Sequence, residues 1–199
     1  MITYVESNFP LELARQQEES QEVEQLLQFA EAGRIELVFP QLAVGEPFGA
    51  LDRYANERNR FLGDLQRQLS ELSRSLPHQS VVTDTQPLVT TLTRLRRDET
   101  DRLEEAIDRM LGCGRSIPLD ASIFRDARAA EQRLDLSPQD AIVFATVATD
   151  LAARPGGGES CFVSRNPKDF TNAKLELSQS GCRYIAKFAD ALSFLRSKA

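Results

Sequence analysis

Short apolar runs alternate with helical stretches along this chain, and that alternation restricts the fold more than any other feature. ITYV at 2–5, IELVFP at 35–40, CFVS at 161–164 and RYIA at 183–186 each read as a buried strand. Neighbouring parallel strands need a long crossover between them, which a helix usually supplies. The expected architecture is α/β, with three layers (α/β/α) and a central parallel sheet of four to five strands. Sheets of this kind place ligands beyond the carboxyl ends of their strands.

Between the strands, LELARQQEESQEVEQLLQFAEAG reads as one helix. Its apolar stripe is Leu11, Leu13, Val23, Leu26, Leu27 and Ala30, and Gly33 supplies the C-cap. From QLAVGEPF onward, residues from Val44 and Phe48 to Leu69 and Leu72 recur on one face of a very long helix, with Pro47 and Gly63 as candidate kinks. LPHQSVVTDTQP (76–87) reads as a turn-rich break. A second helical run follows from about Leu88 to Leu111, and GCGRSIP ends it. Residues 50–115 are thus expected to form a long helical insertion, or arm, within a single domain spanning 1–199. The stretch 119–134 is helical, and Ser137 as N-cap with Pro138 behind it starts another helix. NPKDF begins a further turn or helix, and FADALSFLRSK closes the chain.

Composition removes several function classes. No apolar run approaches a membrane span, and no basic segment with an apolar core suggests a signal peptide. Cys113, Cys161 and Cys182 are odd in number and far apart. They fit reduced thiols in a cytoplasmic protein and no zinc motif. The single histidine, His78, sits in the polar stretch PHQS, so histidine triads and multi-histidine metal sites are excluded. A net charge of −6 argues against broad duplex binding through lysine and arginine. It does not argue against a nuclease, because a bound cation restores attraction for phosphate locally. The PGGG stretch lacks the Gly-Lys-Ser/Thr ending of a phosphate-binding loop.

Four places put polar groups at one edge of the expected sheet. Glu6-Ser7-Asn8 follows the first strand, and Glu46 lies just after the second. Asp140 opens the helix SPQDAIVFA, and Ser164-Arg165-Asn166 with Asp169 follows CFVS. Carboxylates brought together resist ionisation unless a cation or a proton compensates. Oxygen-only donors favour Mg²⁺ or Mn²⁺, ions that activate a water and clamp a phosphodiester displacement.

The order acid–acid–Asp–Asp, with DAIVFA opening a helix and SRNPKDF closing a strand, resembles the PIN-domain ribonucleases. The resemblance covers residues 1–50 and 119–195 and leaves out the long helices. It implies a metal-dependent endonuclease acting on single-stranded RNA with Mg²⁺ or Mn²⁺; some members are toxins paired with an antitoxin. It implies Glu6, Glu46, Asp140 and Asp169 as catalytic, metal-holding acids, with Ser7, Asn8, Ser164 and Asn166 as polar supports. Asn166 stands where many members carry Asp, so the fourth position belongs to Asn166 or Asp169. Arg165 and Lys168 flank the site as phosphate contacts.

Plainer readings stand beside these. Ser-Pro-Gln-Asp is also a capping box, and Asn166-Pro167 is also a helix start. Glu46 also suits a helix first turn, and Ser7 or Asn8 suits a cap. Glu6 has no such explanation, since an acid directly after an apolar strand goes against β-propensity. Two departures from the family, Glu at 6 and Asn at 166, support a rival expectation. In it the chain is a catalytically weak module that binds RNA, or uses its long helices to dock a protein partner or a second copy of itself.

Overall fold

The computed structural model describes residues 1–154, 158–166 and 170–198. Five strands form one sheet: β1 (Ile2–Val5), β2 (Glu36–Pro40), β3 (Arg115–Ile117), β4 (Ser160–Val163) and β5 (Cys182–Ile185). Their order is β3-β2-β1-β4-β5, and every neighbouring pair is parallel. The connecting helices are α1 (Asn8–Arg15), α2 (Ser20–Glu31), α3 (Leu42–Leu72), α4 (Gln79–Cys113), α5 (Ala121–Leu134), α6 (Pro138–Ala152), α7 (Lys174–Gln179) and α8 (Phe188–Arg196). Among the described residues no helix is long and apolar enough to cross a membrane.

Strand side chains alternate between two cores, as the period of two requires. Tyr4, Val38 and Phe162 point to the face covered by α5, α6 and α7. Val5, Leu37, Phe39, Cys161 and Val163 point to the face covered mainly by α2 and α8. The chain is thus a three-layer α/β/α fold.

The sheet contains one strand more than the four apolar runs announced. β3 is only Arg-Ser-Ile, at the sheet edge, where the sequence suggests no more than the end of a helix. Its first residue is held by charge: Arg115 donates to Asp150 at 2.9 and 2.7 Å and to Glu36 at 3.0 Å. Tyr4 also donates to Asp150, at 2.7 Å. Gly114, just before β3, admits no side chain, since a Cβ there would lie 2.8 Å from the Phe39 ring and 2.9 Å from the Met110 carbonyl. Gly114→Ala is expected to destabilise the protein by ~1–3 kcal/mol through overpacking. Urea unfolding followed by circular dichroism measures the shift in midpoint.

Two helical expectations need correction. The first long helix is broken in two at Gln16, which adopts a left-handed φ of 49°. The polar run QQEES makes the turn. Within it, the Glu19 N–H donates to the buried Glu12 at 2.7 Å, and the Glu19 carboxylate accepts from the Phe188 and Ala189 N–H groups, each at 3.3 Å. The residues that broke the apolar stripe are therefore a structural corner.

The expected break at 76–87 is also too long. The turn ends with a short 3₁₀ segment, Leu76–His78, and α4 begins at Gln79 and runs through Pro87. Proline inside a helix removes one backbone bond. Here packing against α3 compensates. Ala55, Leu62 and Leu69, seven residues apart on α3, and Val82, Val89 and Leu92 on α4 are shielded along the antiparallel seam where the two helices pack. Arg58 is the charged member of the α3 series, and it pairs across the seam with Glu99. α3 likewise stays helical through both Pro47 and Gly63.

The order 3-2-1-4-5 has its switch point between β1 and β4, where successive connections leave in opposite directions. Open parallel sheets bind ligands in the crevice at that point. Val5 and Val163 are paired there, so the residues that follow them, Glu6 and Ser164, emerge side by side.

Candidate functional site

Glu6 leaves β1 only 7% exposed. Its Oε1 accepts from Asn8 Nδ2 at 2.6 Å and its Oε2 from the Asn8 backbone N–H at 3.2 Å. Ser164, fully buried at the end of β4, donates its hydroxyl to the same carboxylate. Burial pushes the Glu6 carboxyl up to about 7, and the charge of Glu46 adds to the rise. The bonds from Asn8 and Ser164 act in the opposite direction and only in part offset it. A buried carboxyl in this state carries either a proton or a need for a cation.

Ser7 immediately precedes α1, yet neither Ser7 nor Asn8 caps that helix with its side chain as the plainer reading expected. The Ser7 hydroxyl donates instead to Glu46 Oε2, in the first turns of α3. The other Glu46 oxygen, Oε1, accepts from Gln139 Nε2 at 2.8 Å. Glu46 is therefore gripped from both sides, by β1's exit and by the start of α6. A carboxylate oxygen has two acceptor positions, so with its partners among the described residues counted, each has one left for another donor or a cation.

Asp140 sits next to Gln139 in the first turn of α6. Ser137 caps this helix as expected, its Oγ accepting the Asp140 N–H at 3.2 Å while its hydroxyl meets Asp140 Oδ2. The capping reading of Ser-Pro-Gln-Asp thus holds, and Asp140 makes a further interaction besides.

The exit from β4 is braced rather than open. The Ser164 N–H bonds the Ile185 carbonyl at 3.1 Å, its carbonyl accepts from Tyr184 Oη at 3.0 Å, and its Oγ accepts the Asn166 N–H at 3.2 Å. Arg165, expected as a phosphate contact, donates to the buried Glu12 at 2.7 Å and to Glu18 at 2.6 Å. Its guanidinium ties the β4 exit to the α1–α2 corner. Lys168 and Asp169 lie outside the described residues, as does the helix start expected at Pro167.

The fold thus brings Glu6, Ser7, Asn8, Glu46 and Ser164 together at the switch point, with Asp140 reached through Gln139. Among the described residues, no three acidic, histidine or cysteine side chains gather closely enough to enclose one ion. Gln139 escaped the sequence reading because an amide in a helix first turn resembles any solvated residue. Its position before Asp140 was the only signal. No model of a known protein family matches the chain, and no curated protein matches it in sequence.

Proposed function

We propose that the chain is an endoribonuclease of PIN type, hydrolysing phosphodiester bonds of single-stranded RNA with Mg²⁺ or Mn²⁺. The observation that carries this reading is the buried Glu6 at the β1–β4 switch point, with its pKa raised toward neutrality and Glu46 close enough to contribute. Such perturbed acids in a crevice favour function over structure. The donors here are carboxylate, hydroxyl and amide oxygens with no histidine or thiolate, which suits a hard divalent ion.

Glu6, Glu46, Asp140 and Asp169 are the residues that would hold the ion. When bound, it supplies Lewis acidity and neutralises charge at a phosphodiester. The chain's own groups do the orienting. Asn8 and Ser164 fix the Glu6 carboxylate, Ser7 and Gln139 fix that of Glu46, and Ser137 fixes Asp140. Lys168 is the remaining candidate for a phosphate contact, since Arg165 is engaged by Glu12 and Glu18. Gln139→Ala is expected to lower cleavage ~10-fold by freeing Glu46, the scale of losses when a ligand's hydrogen-bonded support is removed. Steady-state cleavage rates at saturating Mn²⁺ check it.

The direct test is cleavage of single-stranded RNA by the purified protein with Mn²⁺, with chelator, and with Mn²⁺ restored. Cleavage that persists in excess chelator would overturn the metal assignment. A second reading, a catalytically weak PIN-like binding module, draws on the lack of three gathered acids among the described residues. It expects neither cleavage nor Mn²⁺ binding.

A further inference from the structure

The arm built by α3 and α4 has a second patterned face beside its seam. One residue before the seam positions Ala55 and Leu62 stand Tyr54 and Phe61, and one before Val82 and Val89 stand Val81 and Leu88. In an antiparallel helix pair, these flanking positions from the two helices line the same edge. Phe61, Val81 and Leu88 are 53%, 48% and 50% exposed, a run of apolar surface rather than an isolated residue.

The base of this same edge is already covered by a helix. α1 packs Leu11 and Ala14 against Ala50, Leu51, Leu103 and Ile107. At its end, the Arg15 guanidinium lies over the Tyr54 ring at 4.0 Å and reaches Glu99 at 4.0 Å. α1 therefore shows what this edge accepts: an apolar helix face with a cation beside it. The chain turns away at Gln16, and Phe61, Leu88 and Val81 continue the edge toward the arm's tip without α1.

The charged residues on the rows directly next to the apolar one are acidic, with an arginine row (Arg60, Arg67) beyond them on α3. Three or four residues from Phe61, and so on the row beside it, α3 presents Glu57 and Asp64; at the same offsets from Val81 and Leu88, α4 presents Asp84, all exposed. Asp64 also pairs with Arg67 on the same helix at 3.2 Å. A second copy of the arm laid against this edge would set acidic rows against acidic rows, which costs affinity. We propose that this edge docks an amphipathic helix of a protein partner, whose apolar stripe is bordered on both sides by lysine or arginine. The arm from Glu57 to Leu72 is long enough for about four turns of such a helix, at ~1.5 Å per residue. This surface lies away from the proposed nuclease site and does not depend on it.

The test uses the full chain and a synthetic helix with leucines at three- and four-residue spacing and lysines on both flanks. A second helix carries glutamate in place of lysine. Fluorescence anisotropy is measured for the wild type, for the double variant Phe61→Asp, Leu88→Asp, and for the double variant Glu57→Lys, Asp84→Lys. Circular dichroism establishes that each variant is folded. The expected result is micromolar binding of the lysine helix, roughly tenfold weaker or worse in both variants, and no binding of the glutamate helix. The proposal is overturned by no binding, or by equal binding to the wild type and the Phe61, Leu88 variant, which would mean charge attraction alone. Concentration-dependent self-association in sedimentation, lost in that same variant, would also overturn it by assigning the edge to a second copy.

Discussion

In the presence of a chelator, the Glu6→Gln protein is expected to melt at a higher temperature than the wild type at about pH 8, and at nearly the same temperature at about pH 5. The cause is the burial of Glu6, which raises its carboxyl from the ordinary 4.5 to about 7. The folded acid binds its proton more tightly than the unfolded one. The stability this contributes is complete below the unfolded value and is lost as pH rises through the folded one. The shift corresponds to ~3 kcal/mol of lost stability once pH is well above 7. Glutamine removes the buried charge, but its amide must lie near the donors Asn8 N–H and Ser164 Oγ, which returns part of the gain. A net ~1–2 kcal/mol remains, or several degrees at ~2–4 °C per kcal/mol for a chain of this size. The same substitution is expected to lower RNA cleavage, so that stability and activity move in opposite directions. A variant less stable than the wild type at the higher pH would mean that Glu6 is ionised and satisfied by its neighbours alone.

The second large effect is on catalysis. Glu46→Gln and Asp140→Asn each are expected to reduce Mn²⁺-dependent RNA cleavage by at least ~10²-fold, because each removes a charge that the proposed ion would require. Both changes preserve shape. The amide oxygen introduced at position 46 still accepts from Ser7 or Gln139, and the one introduced at position 140 still accepts from the Ser137 hydroxyl. Asp126, exposed on α5, provides the comparison, since Asp126→Asn removes an acid of the same type outside the proposed site. Parallel losses in all three variants would reduce the effect to net charge. Loss confined to positions 46 and 140 ties it to the switch point.

The parallel sheet was readable because β1, β2 and β4 are buried on both faces and thus nearly continuous in apolar residues. β3 was not, since its Arg-Ser-Ile owes its place to Arg115 meeting Asp150 and Glu36, partners 35 and 79 residues away. The corner at Gln16 was hidden for the same reason, its acids being held by Arg165 and by the start of α8. Pro87 misled because local propensity marks a break where packing on α3 keeps the helix whole. At the site, Glu6 was legible as an acid out of place after a strand. Ser7 was legible only by type: capping and Glu46 support look identical in sequence, and the fold chose the second. Gln139 carried little signal beyond its place before Asp140, because its role exists only once α3 and α6 meet.

The carboxylates at the β1–β4 switch point are proposed to hold a divalent ion. Electron paramagnetic resonance of Mn²⁺ titrated into the chelator-treated protein measures this without any RNA. Saturable binding by the wild type is expected, weakened at least ~10-fold by Glu6→Gln, Glu46→Gln and Asp140→Asn alike, and unchanged by Asp126→Asn. Saturable binding that survives all three substitutions, or no binding by a folded wild type, would contradict this proposal.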